Sequence, residues 1–283
     1  MSIRRARLED KEQMLEISKD VWEGTDYIPM VVDQWLSDEK GEFTVLEVDG
    51  KVRAYAKFTY ITDEDVWLEG IRVDRNHRKL GYANIITQYY IEKAIQLKAK
   101  TLKFSTYYEN YGSIKSGEKH GFIRECGFTH MTLVNPEMFT DVKETAINCN
   151  EPEIAWEIIK SSNEYQLSNG YLAESWKFYK LSKEKIKEHS NENRIIISPD
   201  KKALLIYKVQ QNNLPNINFY CGEKESLKTC LNSFHKLKPA GDDELEVMTY
   251  PTPLNEVLEQ SGYKLWEESI SPNVYMFNYP LTK

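Results

Sequence analysis

The sequence predicts an α+β (α/β) fold in which a sheet is flanked by helices, and three features carry that prediction. Residues 43–61 read as two strands joined by Asp49-Gly50, a pair that supplies the positive φ angles a tight hairpin turn requires. Residues 66–73 are bulky and apolar, as in a buried strand, and residues 82–97 carry apolar side chains at helical spacing. The second half of the chain repeats these kinds of element.

Shorter elements are predicted ahead of the hairpin. Residues 3–6 read as a first strand, and residues 14–21 carry apolar side chains at the spacing of a helix. The loop over residues 24–29 then leads into a second helical segment. It contains Asp26, Tyr27 and a proline, and such a loop between two helices can shape a substrate pocket. The alternative is a plain interhelical turn with Tyr27 packed inward.

Residues 69–83 read as the end of a buried strand, a short basic loop and the first turn of a helix. First-turn N–H groups have no intrahelical partner, and the helix dipole adds positive potential at the same end. Gly81 lets the backbone approach an anion without a Cβ in the way. The pattern therefore predicts a phosphate site, with a pyrophosphate as a natural ligand. The alternative is an ordinary crossover whose loop is merely solvated; its cations are Arg72, Arg75, Arg78 and Lys79.

The composition argues against several classes of partner. The 283 residues carry 37 Lys and Arg against 44 Asp and Glu, a net charge of −7, which disfavours nucleic acid or an anionic membrane as the main partner. No apolar run is long enough to span a bilayer, and residues 1–7 have no hydrophobic segment behind their charges. We therefore expect a cytoplasmic protein. The four cysteines form no Cys-x-x-Cys pair, so we expect no metal site.

One motif in the basic loop resembles that of a known family. Arg78-x-x-Gly81-x-Ala83, with Val73 five residues upstream of Arg78, resembles the acetyl-CoA motif Arg/Gln-x-x-Gly-x-Gly/Ala of the GNAT superfamily, the Gcn5-related N-acetyltransferases. A Rossmann or P-loop site fits less well, because neither Gly-x-Gly-x-x-Gly nor Gly-x-x-x-x-Gly-Lys is present. The resemblance implies the GNAT acyl-CoA N-acyltransferase fold, a mixed sheet flanked by helices, and acetyl-CoA as co-substrate without a metal.

In the GNAT family the loop amides hold the CoA pyrophosphate, and pantetheine runs beside the preceding strand like an added strand. Carried over to this sequence, the resemblance implies that Ile71 and Val73 contact pantetheine and that residues 78–84 line the pyrophosphate. The full set of implied cofactor-binding residues is Ile71, Arg72, Val73, Arg78, Lys79, Leu80, Gly81, Tyr82, Ala83, Asn84 and Asn110.

Downstream, the family pattern is an Asn, a helix carrying a Tyr, and Gly-Phe twelve residues after the Asn. Asn110 and Gly121-Phe122 keep that spacing, but the tyrosine position is Gly117. Because that tyrosine is commonly the general acid for the departing thiolate, the usual proton donor is missing. Besides solvent, four nearby groups are open as substitutes: Tyr107, Tyr108, Tyr111 and His120.

Glu69 is the candidate catalytic residue. Acyl transfer to an amine needs a neutral nucleophile, which a carboxylate can ensure directly or through a water. Members of the superfamily often carry such a Glu on this strand, and backbone N–H groups around Gly70 and Ile71 would then meet the oxyanion. No covalent enzyme intermediate is required. The alternative is a structural acid at a strand end, paired with Arg72.

The second half of the chain repeats a glycine spacing of the first. Gly81 and Gly121 are 40 residues apart, as are Gly222 and Gly262, and each second glycine precedes an aromatic residue. We infer a second, degenerate GNAT-like domain, the alternative being an unrelated α+β domain. Residues 222–225 place two acids where the first half has cations, so we expect no CoA binding there.

The pattern breaks between residues 138 and 152, where Asn135-Pro136 and Glu151-Pro152 mark a connection. We therefore predict two domains, a GNAT N-acetyltransferase domain over residues 1–140 and the degenerate GNAT-like domain over residues 141–283.

Beyond the superfamily motif, the first 130 residues are similar to the histidine N-acetyltransferase family, most specifically in the loop from Gly24 to Pro29 and in residues 69–73. That similarity implies acetyl transfer from acetyl-CoA to the α-amine of a small amino acid, histidine being the type substrate, with Asp26 and Tyr27 as substrate-binding residues. The expected partner is thus a small-molecule amine, with no nucleic acid and no membrane, and the protein is a monomer or a homodimer. The alternative function is a catalytically weak acyl-CoA sensor or scaffold.

Overall fold

The computed structural model describes residues 1–142, 144–210, 213–241 and 243–281. They fall into two compact units: unit 1 is Met1–Glu125 together with the C-terminal residues from Met276, and unit 2 is Cys126–Tyr275. The division into domains 1–140 and 141–283 stays a prediction. None of the helices in the described ranges combines the length and the apolar composition that crossing a bilayer requires.

The strands in the described ranges are, in chain order, β1 (Ser2–Arg5), β2 (Glu42–Val48), β3 (Lys51–Tyr60), β4 (Asp65–Val73), β5 (Thr101–Tyr107), β6 (Ile123–Leu133), β7 (Ile147–Asn148), β8 (Tyr171–Glu174), β9 (Lys177–Lys180), β10 (Ile195–Ile197), β11 (Ala203–Val209), β12 (Pro215–Gly222), β13 (Leu245–Thr249), β14 (Lys264–Leu265) and β15 (Val274–Tyr279).

The α-helices in the same ranges are α1 (Lys11–Ser18), α2 (Ile28–Ser37), α3 (Tyr82–Gln96), α4 (Tyr111–Lys119), α5 (Pro152–Ser161), α6 (Asn163–Leu167), α7 (Lys183–Asn191), α8 (Lys224–His235) and α9 (Asn255–Gln260).

Unit 1 is built on a mixed sheet with strand order β1-β2-β3-β4-β5. The first four strands pair antiparallel, whereas β4 and β5 are parallel because α3 connects them as a crossover. The predicted hairpin is β2 and β3, and its turn residues Asp49 and Gly50 have φ angles of 51° and 72°, which confirms the primed turn predicted from the sequence. The residues of β15 that belong to unit 1 lie next to β5 in the sheet, where Phe277 stacks on Phe104.

Helices cover both faces of the unit 1 sheet. On one face, Met14 of α1 and Trp35 of α2 pack in a cluster with Tyr55 of β3. On the other face, Tyr90 of α3 packs its ring against Phe58 and donates its hydroxyl to the carbonyl of Ala56 at 2.6 Å. Neighbouring β3 residues point to opposite faces, so this alternation fixes which side chains face α1 and α2.

Unit 2 repeats the element order of unit 1. Its strands follow the order β7-β10-β11-β12-β13, with β10, β11 and β12 antiparallel and β13 parallel to β12 across the α8 crossover. The sheet continues to β6 through antiparallel pairing with β13. Unit 2 adds a separate β8–β9 hairpin and α7 between its second helix and β10. The predicted repeat of elements around the second glycine pair is therefore present.

Candidate active site

A β-bulge bends β4 where the candidate catalytic residue lies. The register with β3 shifts between Tyr55, which faces Arg72, and Lys57, which faces Glu69, so β4 carries one extra residue there. Gly70 lies inside the bulge with φ 66°, and a Cβ on it would come within 2.5 Å of the Trp35 ring. A residue with a side chain would be strained and would clash, so only glycine suits this bend.

The pairing between β4 and β5 covers only the first part of β4. Their register pairs Asp65, Val66 and Trp67 with residues 101–103 of β5, yet β4 continues to Val73. Beyond Trp67 this register pairs no further residue of β4 with β5. The predicted pantetheine contacts Ile71 and Val73 are both on this part of β4 and are half-buried. An extended ligand chain can pair with such an edge in the manner of an added strand.

The helix after β4 begins at an uncapped glycine. Gly81 is the N-cap of α3 with φ 86° and offers no side-chain cap, so the first-turn N–H groups of Tyr82, Ala83 and Asn84 lack the usual capping acceptor. A Cβ built on Gly81 would meet no atom within 4 Å. Open space, donor groups and the positive end of the α3 dipole thus coincide, as an anion site requires.

Ion pairs divide the four predicted cations into two groups. Arg72 donates from Nε and Nη2 to Asp26 at 2.8 and 2.7 Å, and Arg75 pairs with Asp20 at 2.6 Å. Among the described residues, Arg78 and Lys79 have no ion-pair partner and are exposed. These two cations beside Gly81 are therefore the ones available to a phosphate group.

The nearby acid Asp74 is already neutralised. It accepts from Nη1 of Arg53 at 2.8 Å and lies 2.8 Å from Nδ1 of His77. Burial acts to raise the pKa of Asp74, but hydrogen bonds from the Asn76 N–H and from Arg53 outweigh it and lower the pKa. Asp74 therefore does not cancel the positive loop, and the potential beside Gly81 stays positive.

Glu69 lies on the sheet face that α1 and α2 cover. It faces Lys57 across the β3–β4 ladder, and Thr59 donates its hydroxyl to the Glu69 carboxylate. Lys57 is buried and pairs with Asp38, and burial lowers its pKa more than Asp38 and Glu69 raise it. The carboxylate is half-buried and held in place by Thr59, which suits a group that takes a proton from a substrate.

The loop between α1 and α2 meets Arg72 on this same face. Asp26 is buried by its bidentate pair with Arg72, and the guanidinium lies over the Trp22 ring at 4.6 Å and over the Tyr27 ring at 5.4 Å. Burial raises the pKa of Tyr27, and the negative charges of Glu69 and Asp26 add to that rise while Arg72 opposes it. The Tyr27 hydroxyl therefore stays protonated near Glu69.

Trp22 is the exposed part of this cluster. Its side chain is 54% exposed, and Trp22, Glu23 and Gly24 have φ angles of 47°, 55° and 89°. Consecutive left-handed residues are costly for side chains other than glycine, so the Arg72 and Tyr27 contacts hold the loop in this conformation. An aromatic surface next to Arg72 is thereby offered to a ligand.

The structure gives a physical reason for the glycine at the family's tyrosine position. Gly117 is buried in α4, and a Cβ on it would lie 2.6 Å from the Phe104 ring. Phe104 in turn packs on Phe122 and Phe277. A tyrosine at residue 117 would have to displace this aromatic stack, which accounts for the glycine at this position.

The remaining predicted contacts lie around α4. The side chain of Asn110 caps α4 by accepting from the Ser113 N–H at 3.3 Å, and Asn84 accepts from Ser116 at 3.3 Å. Tyr111 is 62% exposed, and Nδ1 of His120 bonds the Ser116 carbonyl at 2.7 Å. Roles for Asn110 and Asn84 in cofactor binding stay predictions, as does the general acid.

Reasoning from the sequence missed Thr59, Lys57 and Phe104. The first two follow from the β3–β4 pairing, because directly opposite residues of antiparallel strands share a face. Counting from the turn between Tyr60 and Asp65 pairs Lys57 with Glu69 and places Thr59 diagonally to it. Phe104 had no such signal, since its contact with Gly117 depends on how α4 packs.

Comparison with known proteins agrees with this geometry. Residues 8–122 match the profile of the Acetyltransferase (GNAT) family, which confirms the family identified from the Arg78 motif for this part of the chain. A curated histidine N-acetyltransferase of Oreochromis niloticus is 31% identical over 85 residues, which are 30% of this chain and 25% of the relative. The match thus spans only a quarter of that relative's length.

Two solved structures share the fold along the whole chain. A GCN5-related N-acetyltransferase from Sphaerobacter thermophilus has a TM-score of 0.66 at 11% identity and covers 100% of this chain and 96% of its own. An acetyltransferase-like protein from Thermoplasma acidophilum has a TM-score of 0.60 at 15% identity and covers 99% of this chain and 100% of its own. These likenesses confirm the predicted fold class.

Proposed function

We propose, from the GNAT domain at residues 8–122, that unit 1 transfers an acetyl group from acetyl-CoA to a primary amine of a small molecule. The observation that carries this proposal is the uncapped start of α3 at Gly81, which follows the part of β4 that the register does not pair with β5. A pyrophosphate is received at the helix start by Arg78, Lys79 and the first-turn amides. The pantetheine arm then follows the free edge of β4 past Ile71 and Val73 toward Glu69.

The reaction is a direct attack within a ternary complex. Glu69 accepts a proton from the ammonium form of the acceptor, directly or through a water, and the neutral nitrogen attacks the thioester carbonyl. A C–N bond forms and the C–S bond breaks; the attacking nitrogen loses its second proton, and the CoA thiolate leaves and takes up one proton, so the products are the amide and the free thiol. Backbone N–H groups around Gly70 and Ile71, where the bulge turns the strand, stabilise the oxyanion in between.

The acceptor class we propose is the α-amine of an amino acid, with histidine as one candidate. The support is the partial similarity to histidine N-acetyltransferase and the cluster of Asp26, Tyr27 and Trp22 around Arg72. Because Asp26 is paired with Arg72, we assign it to shaping the pocket around Tyr27. The acceptor then contacts the exposed Trp22 surface and the Tyr27 hydroxyl.

One observation favours a second candidate function. Phe104 fills the space of the family's usual proton donor at residue 117, which fits a protein that binds acyl-CoA as a sensor and turns it over weakly. In that case CoA affinity would be retained without an efficient acceptor.

The experiment that tests the proposal is thiol release from acetyl-CoA, followed colorimetrically with free amino acids including histidine, polyamines and short peptides as acceptors. Release with an amino acid, lost in Glu69→Gln while CoA binding is kept, supports the transferase. Tight CoA binding with no release on any acceptor overturns it and supports the sensor.

A further inference from the structure

Helix α7 buries little apolar surface for an element of unit 2. Of its nine residues, all within the described ranges, only Ile186, His189 and Ser190 are buried. Ile186 packs in an apolar cluster that α5 joins through Ala155 and Ile159. One aliphatic side chain and two polar ones therefore attach α7 to unit 2, and the charge state of a polar group on this face affects how firmly the helix is held.

His189 is the titratable group on the buried face of α7. It is 0% exposed, and among the described residues neither of its ring nitrogens has a hydrogen-bond partner. Its carbonyl accepts from the Arg194 N–H at 2.8 Å, and the next residue, Ser190, donates its hydroxyl to the Cys149 carbonyl at 2.8 Å. The ring is therefore shielded from water for as long as α7 is docked.

A shared carboxylate joins α7 to its neighbours beside this ring. Oε1 of Glu174, at the end of β8, lies 3.7 Å from Nε2 of His189. Lys185 of α7 and Lys208 of β11 both pair with Glu174, at 3.1 and 2.6 Å. Because two lysines already neutralise Glu174, it compensates a further positive charge on His189 only weakly.

Arg194, which precedes β10, adds a third cation near the ring and itself pairs with Glu188 and Glu192. Burial is the main cause that lowers the pKa of His189, to about 3; the positive charges of Arg194 and the two lysines add to that effect, and Glu174 opposes it. The docked ring is therefore neutral at pH 7 and stays neutral in mild acid.

The docking of α7 depends on pH for this reason. A histidine exposed to water has a pKa near 6.5, so a released α7 takes up a proton below that pH while the docked helix does not. The contribution of His189 to docking is complete above about pH 6.5 and is lost as the pH falls toward about 3. Between pH 7 and pH 5 the equilibrium constant for release rises about 20-fold.

We propose that α7 is an acid-sensitive element of unit 2, which is released from the rest of the unit when His189 takes up a proton. Release breaks the ion pair between Lys185 and Glu174 and brings Ile186 and the His189 ring into water, while strands β10, β11 and β12 stay paired. Local opening of this kind needs only part of the free energy of global unfolding. The proposal does not rest on the acetyl transfer proposed for unit 1, because α7 lies in unit 2.

Helix α8 of the same unit provides an internal comparison. Its His235 is 4% exposed, its ring nitrogens have no hydrogen-bond partner within the described ranges, and burial lowers its pKa to about 4. Unlike α7, α8 also buries Leu227, Leu231 and Phe234 completely. Its apolar contacts are much larger, so we expect α8 to stay docked at a pH that releases α7.

Hydrogen exchange of the full chain, followed by mass spectrometry and corrected for the intrinsic exchange rate at each pH, tests this proposal. The protection factors of α7 amides should fall about 20-fold between pH 7 and pH 5, and those of α8 should stay constant. Burial acts to raise the pKa of Glu174, but the hydrogen bond from Lys208 and the charge of Lys185 outweigh it, so Glu174 stays charged over this range. Constant protection of α7 overturns the proposal. Equal losses in α7 and α8 also overturn it, because unit 2 would then open as a whole.

His189→Gln removes the titrating group and keeps a polar side chain, and His235→Gln is the matched control, since it removes a second buried histidine of the same unit. We expect the pH dependence of α7 protection to shrink to within about threefold in His189→Gln and to stay about 20-fold in His235→Gln. An equal change in the two variants overturns the proposal. A further measurement uses the wild type alone: nitrogen resonances of the His189 ring that show a charged imidazole in docked α7 at pH 6 also overturn it.

Discussion

The two strand-to-helix crossovers of this protein, β4 to α3 in unit 1 and β12 to α8 in unit 2, share a topology but differ in the space at the helix start. A Cβ on Gly81 would meet no atom within 4 Å, whereas a Cβ on Gly222 would lie 2.1 Å from the carbonyl oxygen of Lys202. The first glycine leaves room for a ligand. The second lets the backbone of the β10–β11 turn pack directly against Gly222. Glycine is thus needed at one helix start for open space and at the other for close packing.

The two crossovers also differ in the charges at the helix start. In unit 2, Ser226 of the first turn of α8 donates to Asp200 at 2.7 Å, and Glu223 pairs with Lys202 at 3.1 Å. Hydrogen bonds from Ser198 and Ser226 lower the pKa of Asp200 against the opposing effect of burial, so its carboxylate stays charged at the positive end of α8. A helix start is an anion site only where the protein's own carboxylates do not already occupy that position. This supports the prediction that unit 2 does not bind CoA.

The largest effect is expected from changing Glu69. The corresponding strand of unit 2, β12, carries no carboxylate. If Glu69 accepts the acceptor's proton, Glu69→Gln lowers kcat by about 10²–10⁴-fold while the Kd of CoA changes little. Steady-state thiol release and CoA titration measure the two quantities. The exposed Glu64→Gln is the control and should retain full activity; a kcat for Glu69→Gln within a few-fold of the wild type would show that Glu69 is structural.

The second largest effect is expected in the free energy of unfolding, which should fall by different amounts when Gly222 and Gly81 are each replaced by alanine. Gly222→Ala combines a strained φ of 114° with a clash against backbone, so we expect a loss of about 3 kcal/mol or more in the free energy of unfolding. Gly81→Ala meets open space and should cost about 1 kcal/mol, from its φ of 86° alone. Denaturant unfolding measures both. Equal losses in the two variants would contradict the difference in space at the two helix starts.

A smaller effect is expected at the basic loop. Arg78→Ala removes a cation that has no ion-pair partner in the described ranges. The Kd of CoA should therefore rise about tenfold, which corresponds to the loss of one charge-assisted hydrogen bond to the ligand. Arg75→Ala is the matched control, because Arg75 is engaged with Asp20 and should change the Kd little. Calorimetric titration at fixed salt distinguishes them. A larger effect from Arg75 than from Arg78 would reverse the assignment of the two cations.

The smallest effect is expected at the exposed ring over Arg72. Trp22→Ala should raise the KM of the acceptor a few-fold and leave the KM of acetyl-CoA unchanged, because Trp22 lies on the α1–α2 side of the sheet and not at the start of α3. Steady-state kinetics with each substrate varied in turn separates the two constants. A change confined to acetyl-CoA would place the acceptor elsewhere.

Elements of the fold that depend on neighbours in sequence were predictable. Asp49-Gly50 adopts the positive φ angles expected of it, since those angles are a local property of the two residues. Arg78-x-x-Gly81-x-Ala83 likewise identifies the start of α3, because an uncapped glycine before a helix is visible in the sequence.

Contacts between residues distant in the chain were decided only by tertiary structure. The sequence places Arg72 in a basic loop, but its pairing with Asp26, 46 residues away, depends on how the α1–α2 loop packs on β4. The same holds for Phe104, whose ring excludes a side chain at Gly117. Local backbone preference and motif spacing are encoded residue by residue. Which charges are neutralised and which spaces stay open is a property of packing, because it depends on side chains brought together from separate parts of the chain.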